Sequence, residues 1–191
     1  MPDDFSLQMA SIRNERQRRY DAAVLVRNSV ICDDFFNWES LELFPNWCYW
    51  PLAERNRLLM VSGALFCAPA IRLWIDARKI REVRSLIGTK TLSLVMANDA
   101  IPQTPSKLPS YENVEALLLG TGAAVLLNSS PLELHNFLDT MLPDSAGKLP
   151  IDIAHLLLSQ AMEILHAINQ ELLDSDSEKS ILKESIGEVA L

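Results

Sequence analysis

Few of the residue types that usually perform catalysis occur in this chain. It contains three histidines, His135, His155 and His166. Asp152, His155 and Ser159 have the residue types of a hydrolase triad, and their spacing places them on one face of a predicted helix. A nucleophile becomes active only beside an oriented base and an oxyanion pocket, and one exposed helix face provides neither. We therefore interpret His155 and His166 as surface residues and His135 as a partly buried structural residue, and expect no catalytic residue and no enzyme.

Metal and cofactor sites are not indicated either. His155 and His166 are eleven residues apart on the same predicted helix, which separates them by about 16 Å and prevents them from sharing a metal ion. Cys32, Cys48 and Cys67 form no close pair of the kind that structural zinc sites use, and their odd number indicates reduced thiols. The sequence contains neither a glycine-rich phosphate loop nor a His-Glu-x-x-His motif. We predict no cofactor and no metal.

The charged residues favour a role in protein binding. Residues 1–97 carry 13 basic and 11 acidic side chains, whereas residues 98–191 carry 4 and 14, so the net charge of −8 is concentrated in the second half. An acidic half disfavours nucleic acid and anionic membrane as partners. The split is typical of a solvated acidic surface, or of a molecule with one face for a basic partner and another for an acidic one. The notable basic cluster, a candidate partner-binding surface, consists of Arg72, Arg78, Lys79, Arg81 and Arg84.

Aromatic side chains are concentrated between residues 35 and 50. Pro45 and Pro51 interrupt regular structure in this segment. Large rings in a loop are either buried against neighbouring helices or exposed as anchors for a partner protein. Burial is the usual outcome, and Trp47 is the candidate partner-binding residue under the other interpretation. The segment contains seven of the thirteen aromatic residues: Phe35, Phe36, Trp38, Phe44, Trp47, Tyr49 and Trp50.

Apolar side chains recur at three- and four-residue spacing along most of the first half of the chain. This spacing predicts that helices position the candidate residues named above. A first helix is predicted from Asp3 or Asp4 to about residue 31, and an earlier end within the β-branched segment 24–31 is the alternative. Pro51 and Pro69 each suit the first turn of a further helix. The helix from Pro69 would carry Ile71, Trp74 and Ile75 on one side. The next predicted helix runs over 77–87, where Asp76 can form its N-cap and Gly88 its C-terminal stop, and Thr89 can cap a short helix to residue 97.

The second half begins with a proline-containing segment, residues 98–110, which we interpret as a surface loop. A buried helix is then predicted over 111–127, and its small residues Gly120, Gly122, Ala123 and Ala124 permit close approach of another helix. Residues 130–133 have the Ser-Pro-Leu-Glu pattern of a capping box with proline at the first helical position.

The clearest periodicity follows from Ile151 to Leu172 and predicts a long amphipathic helix. Packing within the molecule is the leading interpretation of its apolar stripe, and a coiled coil is the alternative. The acidic, serine-containing segment 175–191 is predicted to fray.

Together these patterns predict an all-α protein. We expect one helical domain over residues 1–174 with about 7–9 helices, a surface loop at 98–110 and the tail at 175–191. The longest apolar run, residues 116–127, is shorter than the ~20 residues that a membrane span requires. No secretion signal is visible at the N-terminus, so we expect a cytoplasmic protein.

Residues 52–88 resemble the accessory component of the bacterial type III secretion sorting platform, the SctK family. The likeness is carried by the segments 54–59, 63–69, 75–81 and 86–88. Upstream, Phe44-Pro45-Asn46-Trp47 is similar to the family's His-Pro-Ser-Trp element, with phenylalanine and asparagine at the first and third positions.

This resemblance implies a non-catalytic adaptor in the cytoplasm, peripheral to the secretion apparatus of the inner membrane. Its partners would be the cytosolic domain of the inner-membrane ring protein and a C-ring subunit of the sorting-platform pods. A secretion or assembly chaperone, which covers an apolar segment of a client protein, is the alternative class. An enzyme without a cofactor is a third class and requires a pocket that one sequence does not reveal.

Overall fold

The computed structural model describes residues 16–27, 40–98, 113–145 and 147–187, with side chains described as far as residue 170 in the last helix. Seven α-helices pack together in this part of the chain, which contains no β-strand, so the all-α prediction is confirmed. Short 3-10 turns occupy Ser40–Leu43, Asn46–Tyr49 and Leu132–Leu134. The helices are α1 (residues 16–27), α2 (Leu52–Leu73), α3 (Ala77–Ile87), α4 (Thr89–Ala97), α5 (Val114–Asn128), α6 (His135–Met141) and α7 (Ile151–Gly187).

Several predictions fall on residues outside this description. They concern the start and end of the first helix, Cys32, the aromatic residues at 35, 36 and 38, and nearly all of the 98–110 loop. The described part of the first helix, residues 16–27, is helical as predicted.

Helices α2 and α5 form the centre of the fold. The Asn113 side chain accepts a hydrogen bond of 2.8 Å from the Ala116 N–H and so caps α5, which begins at Val114, three residues later than predicted. Both helices carry many buried residues, and α3, α4 and α7 also pack against α2. A helix that is apolar on nearly every side, such as α5, is stable in water only when other helices surround it.

Two glycines bring the backbones of α2 and α5 into contact. A Cβ atom on Gly63 would lie 2.0 Å from the Leu118 carbonyl oxygen, and a Cβ on Gly122 would lie 2.0 Å from that of Leu59. The higher-numbered residue of α2 meets the lower-numbered residue of α5, so the helices run antiparallel. The predicted role of Gly122 in close helix approach is confirmed, whereas its counterpart Gly63 was not singled out.

The prediction of a separate helix from Pro69 is wrong. Helix α2 is continuous for 22 residues and contains Pro69 in its last turns. An internal proline removes one backbone hydrogen bond and costs about 3 kcal/mol. Buried residues on both sides of it, Phe66, Cys67, Ala68 and Ile71, supply the apolar packing that offsets this cost.

The signals that frame α3 are confirmed. The Asp76 side chain accepts a hydrogen bond of 2.8 Å from the Arg78 N–H, and Gly88, at φ 86°, ends the helix. Only glycine adopts this backbone conformation without strain. Gly88, rather than Thr89, is the N-cap of α4, and no side chain caps that helix.

The capping box predicted at residues 130–133 does not form. The Ser130 hydroxyl donates to the Leu126 carbonyl at 2.7 Å, at the end of α5. Pro131 leads into the 3-10 turn Leu132–Leu134, and no side-chain cap bond is made there. The hydroxyl therefore completes the preceding helix instead of starting the next one.

The apolar stripe of α7 packs within the molecule. It contacts α2, α4 and α5, which confirms the leading interpretation. The segment Ile151–Gln170 is also long and apolar enough to cross a membrane, but a helix in the core of a soluble protein can have the same length and composition. The backbone is helical to Gly187, through much of the segment predicted as a tail, and its fraying stays a prediction. The buried residues of the stripe are Ala154, Leu157, Ala161, Ile164, Leu165 and Ile168.

The aromatic segment contributes to the core, as the burial interpretation expected. Phe44 and Trp47 are each 1% exposed. The rings of Phe44 and Phe137 lie 5.1 Å apart at 65°, which is an edge-to-face contact. The Tyr49 hydroxyl donates to the Arg18 carbonyl at 3.4 Å and so connects this segment to α1.

Candidate protein-docking surface

An apolar corner projects where α2 ends and α3 begins. The Trp74 N–H donates to the Ile71 carbonyl at 3.1 Å as α2 ends, and Asp76 caps α3 two residues later. The turn between them leaves Leu73 80% and Ile75 100% exposed. The sequence predicted Ile75 on the same apolar side as Ile71. Because α2 ends at Leu73, the helical spacing does not extend to Ile75, and of these two residues only Ile71 is buried.

Basic side chains cover the exposed side of the helix that follows. The other side of α3 packs into the protein and carries the buried residues Val83 and Ile87. The helix contains four cations and one glutamate, which give it a net charge of +3. Among the residues that the structure describes, the four cations form no ion pair. We define the α3 corner as Leu73 and Ile75 together with the exposed cations Arg78, Lys79, Arg81 and Arg84.

Local contacts orient two of these cations. The Lys79 Nζ lies 5.6 Å from the centroid of the partly exposed Trp74 ring. Such a contact contributes about 0.5–1 kcal/mol at an exposed site. The Arg81 Nε donates to the Ala77 carbonyl at 3.3 Å, so its side chain lies along the helix. The basic surface therefore has local order and keeps donor groups available for a partner.

Arg72 has a different role from the other members of the predicted basic cluster. Its Nη2 donates to the carbonyls of Met96 and Asn98, at 2.8 Å in each case. Carbonyls at the C-terminus of a helix have no partner within that helix, and a cation there also interacts favourably with the helix dipole. Arg72 therefore ties the end of α2 to the end of α4.

The last predicted partner-binding residue, Trp47, does not belong to the α3 corner. It belongs to the same buried core as Phe44, and its indole nitrogen has no hydrogen-bond partner in the described structure. The structure therefore brings together four of the six predicted residues, and it adds Leu73 and Ile75, which the sequence did not indicate as exposed.

The residues considered for catalysis lie apart from this corner. Asp152, His155 and Ser159 share the exposed side of α7, and His166 is also exposed. The His135 Nε2 lies 3.1 Å from the Ser130 carbonyl oxygen, in the partly buried structural position predicted for it. Within the described ranges, no three His, Cys, Asp or Glu side chains gather closely enough to hold a metal ion.

The two described thiols are buried, at Cys48 and Cys67. Burial raises the pKa of each thiol from 9.0 to about 12, because the thiolate would lose its hydration. The Cys67 Sγ lies 3.7 Å from the Thr121 Oγ1, across the contact between α2 and α5. Neither thiol is therefore activated as a nucleophile.

A second surface feature is a groove at the opposite end of α2, where that helix passes α7. It has a volume of about 510 Å³. The Arg57 Nη1 donates to the Asn169 Oδ1 at 3.0 Å and joins the two helices there. The groove is lined by Trp50, Pro51, Glu54, Met162, Leu165, His166 and Asn169.

Taken together, these features describe an all-α protein with an exposed apolar corner beside a basic helix. No protein-family model, curated protein or solved structure matches the chain. Its function must therefore be inferred from its surfaces and from the resemblance of residues 44–88.

Proposed function

We propose that this protein is a non-catalytic adaptor of a bacterial type III secretion system. It links the cytosolic domain of the inner-membrane ring to the sorting platform by binding a protein at each. The α3 corner carries this proposal, because a fully exposed isoleucine lies beside four cations that have no ion-pair partner among the described residues. The corner also lies within the segment that resembles the SctK family.

The composition of the corner suits a protein interface. Burying an aliphatic side chain such as Ile75 or Leu73 contributes about 1.5–3 kcal/mol. Apolar anchors surrounded by charged residues are typical of binding surfaces, and the surrounding charges select the partner and accelerate association. A partner for this surface therefore has an apolar depression with acidic residues around it.

Hydrogen bonds hold the framework beneath the corner together. Asp76 and Gly88 fix the two ends of α3, and Arg72 attaches the end of α2 to α4. The exposed residues thus lie on elements whose relative positions are set before a partner binds. Such preorganisation reduces the entropy lost on binding.

Co-purification from the native bacterium tests the proposal. The tagged protein is isolated from detergent-solubilised membranes, and quantitative mass spectrometry measures the ring and sorting-platform subunits recovered with it. We compare Ile75→Asp/Arg81→Glu with the matched control Leu132→Asp/Lys148→Glu, which changes one exposed leucine and one exposed cation elsewhere. We expect the first variant to lose a partner and the control to retain both.

Other outcomes would contradict different parts of the proposal. Unchanged recovery with Ile75→Asp/Arg81→Glu would exclude the α3 corner as a docking surface. Recovery of a single soluble client that is released during purification would favour the chaperone class. Recovery of no secretion component would refute the type III assignment.

A further inference from the structure

The groove between α2 and α7 has the chemistry of a binding site. From α7 it is lined by Leu165, which is 5% exposed, and by the partly exposed Met162, and from the start of α2 by Trp50 and Pro51. A volume of about 510 Å³ lies within the ~300–1,000 Å³ of typical ligand pockets, which combine an apolar lining with a few polar groups. An apolar side chain of a partner would be largely removed from water here.

The polar groups of the groove favour a cation. Glu54 is exposed and lines the groove, and it forms no ion pair within the described part of the chain. The other polar residues are already engaged, since Asn169 accepts from Arg57 and the His166 Nε2 lies 2.8 Å from the Gln170 Nε2. Glu54 and Trp50 line the same groove, and a carboxylate and an indole ring attract guanidinium and ammonium groups by ion pairing and by cation–π contact respectively.

We propose that this groove binds a protein segment in which an arginine or lysine neighbours an apolar side chain. The apolar side chain lies against Met162 and Leu165, and the cation lies between the Trp50 ring and the Glu54 carboxylate. The net charge of the chain, −8, also favours a cationic segment over an anionic one.

This second site goes beyond the proposed function, because it gives the molecule two binding surfaces of opposite preference. They lie at opposite ends of one continuous helix, and the 22 residues of α2 separate them by about 33 Å. An acidic partner at the α3 corner and a cationic partner at the groove would not overlap. The groove's own chemistry supports this site whether or not the corner binds a partner.

Titration with two short peptides tests the site. The probes are acetyl-Leu-Arg-Leu-amide and the control acetyl-Leu-Glu-Leu-amide, added to ¹⁵N-labelled protein and followed by ¹H–¹⁵N correlation spectra. We expect the arginine peptide to shift the Trp50 indole signal and the Leu165 and Asn169 amides, and the glutamate peptide to bind more weakly. Glu54→Gln should raise the Kd of the arginine peptide about two- to fivefold, the factor expected for one exposed ion pair.

Control variants keep the result interpretable. Glu163→Gln removes an exposed carboxylate of α7 that does not line the groove, and it should leave the Kd unchanged. Ile75→Asp/Arg81→Glu should also leave it unchanged, so failure of the α3 corner is distinguishable from failure of this site. Equal binding of both peptides, no effect of Glu54→Gln, or shifts confined to residues 73–84 would overturn the proposal.

Discussion

Replacing Gly63 with alanine tests whether the fold depends on backbone contact between α2 and α5. The added Cβ would lie 2.0 Å from the Leu118 carbonyl oxygen and 2.8 Å from the Thr121 Oγ1. Real Cβ atoms essentially never approach another atom more closely than 3.0 Å. The Leu118 carbonyl, the closest group, belongs to backbone and cannot rotate out of the way as a side chain could. The two helices must therefore separate by about 1 Å, the difference between these distances.

Two effects of opposite sign determine the magnitude. Alanine is the better helix former by about 1 kcal/mol, which favours the variant. A gap of 0.5–1 Å removes about a quarter to a half of the dispersion energy of the contacts across it, and overpacking of a core costs about 1–3 kcal/mol or more. We expect a packing loss at the upper end of this range, about 3 kcal/mol, because backbone meets backbone, which leaves a net destabilisation of about 2 kcal/mol. For a chain of this size, that lowers Tm by about 4–8 °C.

Chemical denaturation of the variants provides the measurement. Asn56 is exposed on the same helix, so the difference between Asn56→Ala and Asn56→Gly gives the propensity term alone. Gly122→Ala should cost about as much as Gly63→Ala. The double variant should cost less than the sum, because one separation of the helices relieves both contacts. A Gly63→Ala protein as stable as the natural one would refute the reasoning.

The double variant Arg78→Glu/Arg81→Glu should bind an acidic partner more weakly. Its free energy of unfolding should change by less than about 0.5 kcal/mol, as is usual for exposed sites. Unaltered binding would exclude the basic surface from the proposal. Trp47→Ala should destabilise the fold by about 3–5 kcal/mol in denaturant titrations, whereas weaker partner binding with an unshifted melt would reverse its assignment to the core. Iodoacetamide at pH 8, with peptide mass spectrometry, should modify Cys48 and Cys67 only after unfolding. Burial raises the pKa of both thiols from 9.0 to about 12, so the thiols of the unfolded chain ionise at a lower pH than those of the folded chain. Their contribution to the free energy of unfolding is therefore fully present below pH 9 and should be lost between pH 9 and about 12.

Much of the helical framework could be predicted from local sequence. The Asp76 cap and the Gly88 stop are signals read within a few residues, and both operate as expected. The failures at Pro69 and Ser130 have a common cause. Proline and serine both favour the start of a helix when only the local sequence is considered. In the folded chain, however, Pro69 lies inside α2, and the Ser130 hydroxyl bonds to the end of the preceding helix.

The candidate surfaces were less predictable than the helices. The cations of α3 were evident from composition, but exposure of Ile75 depends on the residue at which α2 ends. Arg72 binds carbonyls 24 and 26 residues away, at Met96 and Asn98, and no local pattern indicates such a contact. The groove joins residues 50–54 to residues 162–169, which only the packing of α7 on α2 brings together.

The glycine contacts also restrict how the two ends of α2 can communicate. Packed helices often adjust by small sliding movements along each other. Here the carbonyls of Leu118 and Leu59 lie where Gly63 and Gly122 have no side chain, so sliding would press each carbonyl against a neighbouring Cβ. These contacts therefore oppose a sliding movement of α2 along α5. Occupancy at one end should leave affinity at the other unchanged, and a ternary complex should assemble in either order.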